Sequence, residues 1–329
     1  MGKANLGPAQ FASMSAAADF LGPGTIEINR YQTEITDLVR RRFPFGQRVN
    51  NTPATGQPSR YFEQLGIPTA AFVDPRILTQ TATQPTRQER VLMLKALTNQ
   101  INYGIFDVEV NQQQGQFSYL EAKDLTDTVD SVLKLHDTNL WQGNDTDTMV
   151  STSVQYYGVS GQIFAGAAAT NGNATLNVAS SGSLVDAVKL QVATMVVRQD
   201  FEVRPTAFYS NPLLLNLFDK EAKASQLYFN QVEILPGVIV EAIPTQAGII
   251  PLVGDPAITV WPFGTGVSLY TGFLTTEDMI EYHFLTDALP RVFQLGLAGN
   301  LAAQYVVAKF GAVVAKGANY AHAAITTAR

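Results

Sequence analysis

The chain has 329 residues, 46% of them hydrophobic, a net charge of −6, no cysteine and only 15% charged residues. The absence of cysteine excludes a disulfide scaffold and a thiolate metal site, and the acidic balance argues against a dedicated nucleic-acid binder, whose affinity rests on neutralising phosphates. The length allows two domains, or one with large insertions, and the charge content lies well below the roughly 25% of ordinary globular chains. That shortage fits a surface turned toward other subunits, and it also fits a secreted, Asn/Thr-rich β protein.

Met1–Arg30 is mostly Gly, Ala, Ser, Asn and Pro, with apolar residues too scattered to form a core-facing stripe. Ordering such a segment costs about 1–2 kcal/mol per residue, so the expectation is that a neighbouring copy or partner chain ties it down. Lys3 is followed by small and polar residues, so the start does not read as a secretory signal. Ile26–Arg42 places Ile35, Leu38 and Val39 on one helical face and ends in Arg40-Arg41-Arg42, which suits the helix dipole. Phe43–Val49 reads as extended, Asn50–Pro58 as a tip rich in turn formers, and Ser59–Val73 as a return strand, together a long hairpin with little core of its own. A second arginine-bearing stretch, Arg87–Leu97, precedes Phe106, Val108 and Val110, which alternate with Asp107 and Glu109 as in a half-buried strand.

Ser118 and Glu121 form a Ser-x-x-Glu capping box. Leu125, Val129, Val132, Leu133, His136 and Leu140 then recur at three- and four-residue spacings, with Asp130 and Lys134 placed for an i,i+4 pair. This helix is expected over 119–141 and to stop at Gly143 as a C-cap, a rod of roughly 34 Å. Ser151–Gly182 reads as loop with short strands. Ser183 caps a helix through Val185, Val188, Val192 and Met195, and a strand Thr206–Tyr209 leads to Asn211-Pro212 and a helix from Leu213 to about Ala224. Strands are expected at Val238–Ile243, Ile258–Trp261, Val267–Thr271, Met279–Phe284 and Arg291–Leu297, and a final helix at about Ala298–Ala315. Overlapping it, Leu295–Val314 is the best candidate membrane span, but Asn300, Gln304 and Lys309 interrupt it and no membrane association is expected. The fold class is α+β.

The search for chemistry finds no His-Glu-x-x-His, P-loop, Gly-x-Ser-x-Gly or Gly-x-Gly-x-x-Gly pattern. Three histidines, His136, His283 and His322, are too scattered for a metal cluster by local spacing, and His136 reads as a buried or interface histidine in preference to a ligand. Gly264-Thr265-Gly266 reads as a turn. Asp145 and Asp147 resemble a calcium loop but lack its glycine and distal glutamate, and a polar cap after the long helix explains them better. Arg40–Arg42 with Arg48 has three readings: a nucleic-acid patch, a docking surface for acidic faces of neighbouring subunits, or a solvated helix end. No catalytic, cofactor or metal residue is nominated, and the expectation is that the protein is not an enzyme.

The order of these elements resembles the major capsid protein of tailed phages with the Hong Kong 97 fold. The carrying segments are Tyr119–Asn144, closing on Leu140-Trp141-Gln142-Gly143-Asn144, then Arg204–Lys223, Ile234–Pro244 and Gly264–Phe284. The resemblance implies an N-terminal arm (1–42), an extended loop lying over a neighbour (43–78), and a peripheral domain (79–204) with Tyr119–Trp141 as its spine helix. It further implies an axial domain (205–262) with the loop Thr245–Pro256 near the axis of hexamers and pentamers, and a return to the peripheral domain (263–329). Candidate inter-subunit contacts are Arg40, Arg41, Arg42, Arg48, Arg60, Tyr61 and Phe62. A homo-oligomeric icosahedral shell around double-stranded DNA is implied, with a separate scaffolding protein, a portal and a cement protein as possible partners, in a virion assembled in the host cytoplasm. Some family members crosslink through a Lys–Asn isopeptide bond, but no lysine lies between Phe43 and Leu78. About 117 residues precede the long helix, room for arm and hairpin alone, so no cleaved scaffold is expected ahead of the arm. An encapsulin-type compartment, a secreted β-rich adhesin and an enzyme assembled only in three dimensions are the alternatives.

Overall fold

In the computed structural model the described residues are 43–74, 82–104, 106, 120–150, 152–169, 172–198, 203–225, 229–264, 266–298 and 302–329. The expected helix at 26–42, the strand at 106–110 save residue 106, and Ser118, the capping residue of the expected capping box, lie outside them.

Pro44 begins a one-turn helix, α1 (Pro44–Arg48), where the sequence pattern suggested extended chain. Proline suits a first helical position, and tertiary packing decides the rest. Phe45 is buried with its ring 4.3 Å from Trp141 and 5.0 Å from Tyr209. The expected polar tip at 50–58 is also corrected. Its first half is strand β1 (Asn50–Pro53), which pairs in parallel with the distant strand β12 (Ile280–Phe284). The hairpin is instead β2 (Ser59–Gly66) with β3 (Thr86–Leu92). Local pattern cannot reveal a partner over 200 residues away, and β2 stops short of Pro68, which has no amide to donate.

After β4 (Lys95–Gly104), α2 (Leu120–Gln142) is the long helix the spacing predicts. Val132, Leu133, His136 and Leu140 are buried, and an i,i+4 ion pair joins Lys123 and Asp127 at 3.7 Å on its outer side. Gly143 does follow the helix, but for want of space: a Cβ there would lie 2.2 Å from the Tyr156 carbonyl and 2.8 Å from the Gly158 amide. Within the expected loop lies α3 (Val159–Ala168), a helix with almost no polar face to produce a period. Helices α4 (Leu184–Val197) and α5 (Pro212–Ala224) begin as predicted. Ser183 Oγ accepts the Asp186 amide at 3.1 Å, and Asn211 Oδ1 accepts that of Leu213 at 3.0 Å.

The final helix expected at 298–315 is a strand, β14 (Ala302–Ala315). It pairs with β4, β12 and β13 (Arg291–Ala298), and its C-terminal half, with Ala312, Val313, Val314 and Ala315 all buried in succession, is covered on both faces and loses the alternation that marks a half-buried strand. Its alanines mimic helix propensity. Close packing favours the extended form, with Gly311 where a Cβ would sit 2.5 Å from the Tyr282 ring. The loop expected at 245–256 is likewise corrected. Strand β8 (Val238–Thr245) turns tightly into β9 (Gly248–Gly254), and the strand expected at 258–261 begins only at Trp261 with β10 (Trp261–Gly264). The remaining strands are β5 (Leu176–Val178), β6 (Ala207–Ser210), β7 (Asn230–Leu235), β11 (Val267–Thr275) and β15 (Ala323–Ala328).

These strands make a five-stranded sheet (β1-β12-β14-β13, with β4 on β14) and an eight-stranded sheet (β5-β15-β11-β6-β9-β8-β7, with β10 on β11). The second sheet separates two cores, and its period of two assigns alternate residues to each. Tyr209, Phe273 and Ala324 join Trp141, Leu140 and Tyr282 under α2 and α3. Their neighbours Phe208, Leu274 and Ile325 join Val188, Val192 and Phe218 under α4 and α5. Strands β5, β11 and β15 thus bring residues from both sides of the 205–262 segment into one sheet.

Candidate assembly surface

The β2–β3 hairpin leaves the body from a polar root. Ser59 Oγ lies 2.9 Å from His283 Nδ1, His283 Nε2 lies 3.1 Å from Glu281 Oε2, and Lys316 Nζ donates to Glu281 Oε1 at 2.5 Å. Two residues on, Tyr61 lies under the Lys316 ammonium at 5.5 Å. Next along the strand, Glu63 accepts the Gly317 amide at 2.8 Å with one oxygen and Arg90 Nε at 2.8 Å with the other. The alternation of β2 thus puts Ser59, Tyr61 and Glu63 on the body and Arg60 and Phe62 outward.

The electrostatics hold this root in one state near neutral pH. Burial keeps the His283 imidazole below its ordinary value, and so neutral. Burial alone would raise the Glu281 carboxyl, but the hydrogen bonds from Lys316 and His283 outweigh it and hold the group below the usual range. Burial, with Glu63 alongside, pushes the Tyr61 phenol up. Ser59, His283 and Glu281 are linked in the order of a serine–histidine–carboxylate relay, yet Ser59 is fully buried and no substrate carbonyl can reach its Oγ. The arrangement fixes a hairpin.

Of the nominated contact residues, Arg40, Arg41 and Arg42 lie outside the described residues. Arg48 forms an ion pair with Glu277 at 2.7 Å within the chain, and Glu277 also accepts the Tyr209 hydroxyl, tying α1 to the eight-stranded sheet. Arg60 pairs across the hairpin with Glu89 at 2.9 Å, both well exposed. Tyr61 is half-buried in the root, and Phe62 is 72% exposed. The structure therefore brings Arg60, Tyr61 and Phe62 together and gives Arg48 a partner of its own. Asp145 is a buried acceptor: Lys95 Nζ lies 2.9 Å away and Thr152 Oγ1 and the Thr146 amide donate to it. Burial opposes its charge, but these donors prevail and hold the carboxyl well below the usual range. Among the described residues no group of three or more His, Asp or Glu side chains is gathered to hold a metal ion, and no helix is long and apolar enough to cross a membrane.

Other exposed apolar side chains escape sequence reasoning. Beyond Phe62 the hairpin carries Ile67 at 79% exposure and a fully exposed Phe72. Strand β13 exposes Val292, Phe293 and Leu295, and the β8–β9 region exposes Val238, Ile239 and Ile249. Monomeric proteins rarely leave such clusters in water. The available signal was position: these residues stand beside turn formers, as in Ile67-Pro68 and Gly237-Val238, where a solvated surface would be polar.

No family model matches the chain, and no curated protein matches it. Solved structures do match over nearly their whole length. The capsid of cyanophage A-1(L) is 12% identical with a TM-score of 0.64, covering 91% of this chain and 96% of that one. The capsid of a native GTA particle is 11% identical with a TM-score of 0.61, covering 96% and 99%. The holo-SrpI encapsulin complex from Synechococcus elongatus PCC 7942 is 14% identical with a TM-score of 0.53, covering 94% and 93%. The fold is that of phage capsid subunits, the Hong Kong 97 type.

Proposed function

We propose that this chain is a major capsid protein, a structural subunit and not an enzyme, which assembles as hexamers and pentamers into an icosahedral phage head around double-stranded DNA. The observation that carries the reading is the projecting β2–β3 hairpin: its root is locked to the body while Phe62, Ile67 and Phe72 are offered to solvent. An exposed apolar projection of this kind marks a surface that another subunit covers on assembly. On this reading residues 1–42 are an arm, β2–β3 the extended loop lying on a neighbour, α2 the spine of a peripheral domain, and 205–262 much of an axial domain. Arg60, Tyr61 and Phe62 of the loop, together with Arg40, Arg41, Arg42 and Arg48, are the proposed inter-subunit contacts. DNA contacts would be non-specific and on the inner face, and a scaffolding protein, portal or cement protein would be partners in a virion assembled in the host cytoplasm.

Light scattering under capsid-forming conditions, with any scaffolding partner present, tests the proposal: large particles of uniform size are expected, and a compact monomer as the sole species overturns it. The match to an encapsulin structure favours one second reading, a protein-filled compartment. Absorbance of purified particles separates the two, because DNA-filled heads carry a strong nucleic-acid signal and a compartment loaded with protein does not.

A further inference from the structure

Two adjoining cavities, of about 300 and 600 Å³, form one groove between α3 and β10, sharing Phe164, Trp261 and Thr271. Among the described residues no charged side chain lines it, and the aromatic rings at its rim, Trp261 and Phe164, remain 59% and 39% exposed. Polar side chains of its walls make their hydrogen bonds within the wall. Gln142 Nε2 donates to the Ala257 carbonyl and to Thr259 Oγ1, Ser160 Oγ to the Trp141 carbonyl, and Thr326 Oγ1 to Asn177 Oδ1. Such a groove offers an occupant apolar contact and little else, and a charge buried in it without a partner is strongly unfavourable. It selects an uncharged, apolar segment.

The β2–β3 hairpin presents one. From Gln64 to Val73 the chain carries no charge, and every residue from Ile67 to Asp74 is exposed. Gly66 still pairs with Thr86, and Thr83 Oγ1 donates to the Thr69 carbonyl at 3.4 Å, so the two limbs run together as far as Thr69. Ile67 and Phe72 stand in water, and neither is therefore seated in the groove of its own chain. Helix α3 separates the two features. Its Gln162, Ala165 and Gly166 face a cavity beside Tyr61, Glu63 and Arg90 of the hairpin root, whereas its Ser160, Gly161 and Phe164 line the groove. At 3.6 residues per turn those two faces point roughly 140° apart. The locked root thus lies on one side of α3 while the groove opens on the other. A projecting segment and a receiving groove at different places on one subunit make a heterologous contact, the kind that generates rings.

We propose that the groove is the seat of a second copy's hairpin end, residues 64–73, with Ile67 and Phe72 entering its two cavities. Five residues of extended chain separate these side chains by up to about 17 Å, which suits two adjoining cavities. The inference rests on the reading of the chain as a shell subunit and adds to it the surface that the hairpin occupies on its neighbour.

Trp261 and an introduced disulfide test it together. Of the two tryptophans, Trp141 is 1% exposed, which leaves Trp261 as the one that acrylamide reaches. When the parent chain assembles, quenching of Trp261 is expected to fall severalfold and its emission to shift to the blue. The chain has no cysteine, so Ala71→Cys with Thr259→Cys puts one thiol on the hairpin end and one in the groove. Oxidised particles of this double variant should run on a denaturing gel as a ladder of linked subunits that reductant collapses to monomer. Where the double variant does not assemble, particles mixed from the two single variants give the same readout as a crosslinked dimer. Ala71→Cys with Val197→Cys, whose second thiol is exposed on α4 across the eight-stranded sheet, should give no ladder. Parent particles in which Trp261 is quenched as in the free subunit overturn the proposal. So do particles in which Trp261 is shielded but the groove thiol forms no crosslink, because another segment is then the occupant. Either result leaves the shell reading standing, whereas a parent chain that forms no particles under capsid-forming conditions overturns both.

Discussion

Phe45→Ala removes the ring that fastens α1 to the body. Phe45 is 1% exposed, 4.3 Å from Trp141 and 5.0 Å from Tyr209, with the latter pair edge-to-face. Truncating a buried phenylalanine costs about 3–5 kcal/mol through lost transfer energy and the cavity left behind, and each aromatic pair is worth a further share of about 0.5–1.5 kcal/mol within that loss. Against a typical total stability of roughly 5–15 kcal/mol this is a large fraction. Urea denaturation of the unassembled subunit should show the midpoint falling with little change in slope, and the melting temperature should drop by roughly 5–15 °C. Phe45→Leu, which keeps most of the volume, should cost less than half as much. A Phe45→Ala subunit that melts with the parent would refute the packing of α1 against Trp141 and Tyr209.

Removing one partner of the buried Lys95–Asp145 pair by Lys95→Met should destabilise by about 3–5 kcal/mol, and Lys95→Met with Asp145→Asn should recover much of the loss, as a double-mutant cycle in denaturant would show. His322 is buried and its imidazole is held down at about 4 from an ordinary 6.5. A group depressed on folding contributes stability that is present above its unfolded value and lost as pH falls through the folded one. The parent should therefore lose on the order of 3 kcal/mol between about pH 6.5 and 4 that His322→Gln does not, and parallel pH profiles for the two would contradict this. Ile67→Ser with Phe72→Ser should leave the subunit's melting temperature within about 1 °C of the parent, because both side chains are already in water. Particle yield by light scattering should nevertheless fall sharply.

What the sequence disclosed, and what it hid, follow from how local each feature is. Helix α2 announced itself because one face meets the core and the other meets water, and α4 and α5 because Ser183 and Asn211-Pro212 are local start signals. Strand β14 was hidden because burial on both faces erases alternation, and its alanines favour the wrong answer; the β-branched pairs Val306-Val307 and Val313-Val314 were the overlooked cue. The pairing of β1 with β12 and of β5 with β15 joins segments far apart in the chain, which no window can show. At the candidate surface, the strand carrying Arg60, Tyr61 and Phe62 was legible, but the alternation that turns Tyr61 inward to the root and Arg60 and Phe62 outward was read only from the structure. Arg48 was not legible as the partner of Glu277, because that pairing exists only after the fold has formed.

Negative-stain electron microscopy of the purified protein, together with any scaffolding partner, tests the central claim most directly. Closed shells of uniform diameter with hexameric and pentameric clusters are predicted. A field of dispersed monomers under the same conditions, with no shell, tube or sheet of capsomers, would contradict it.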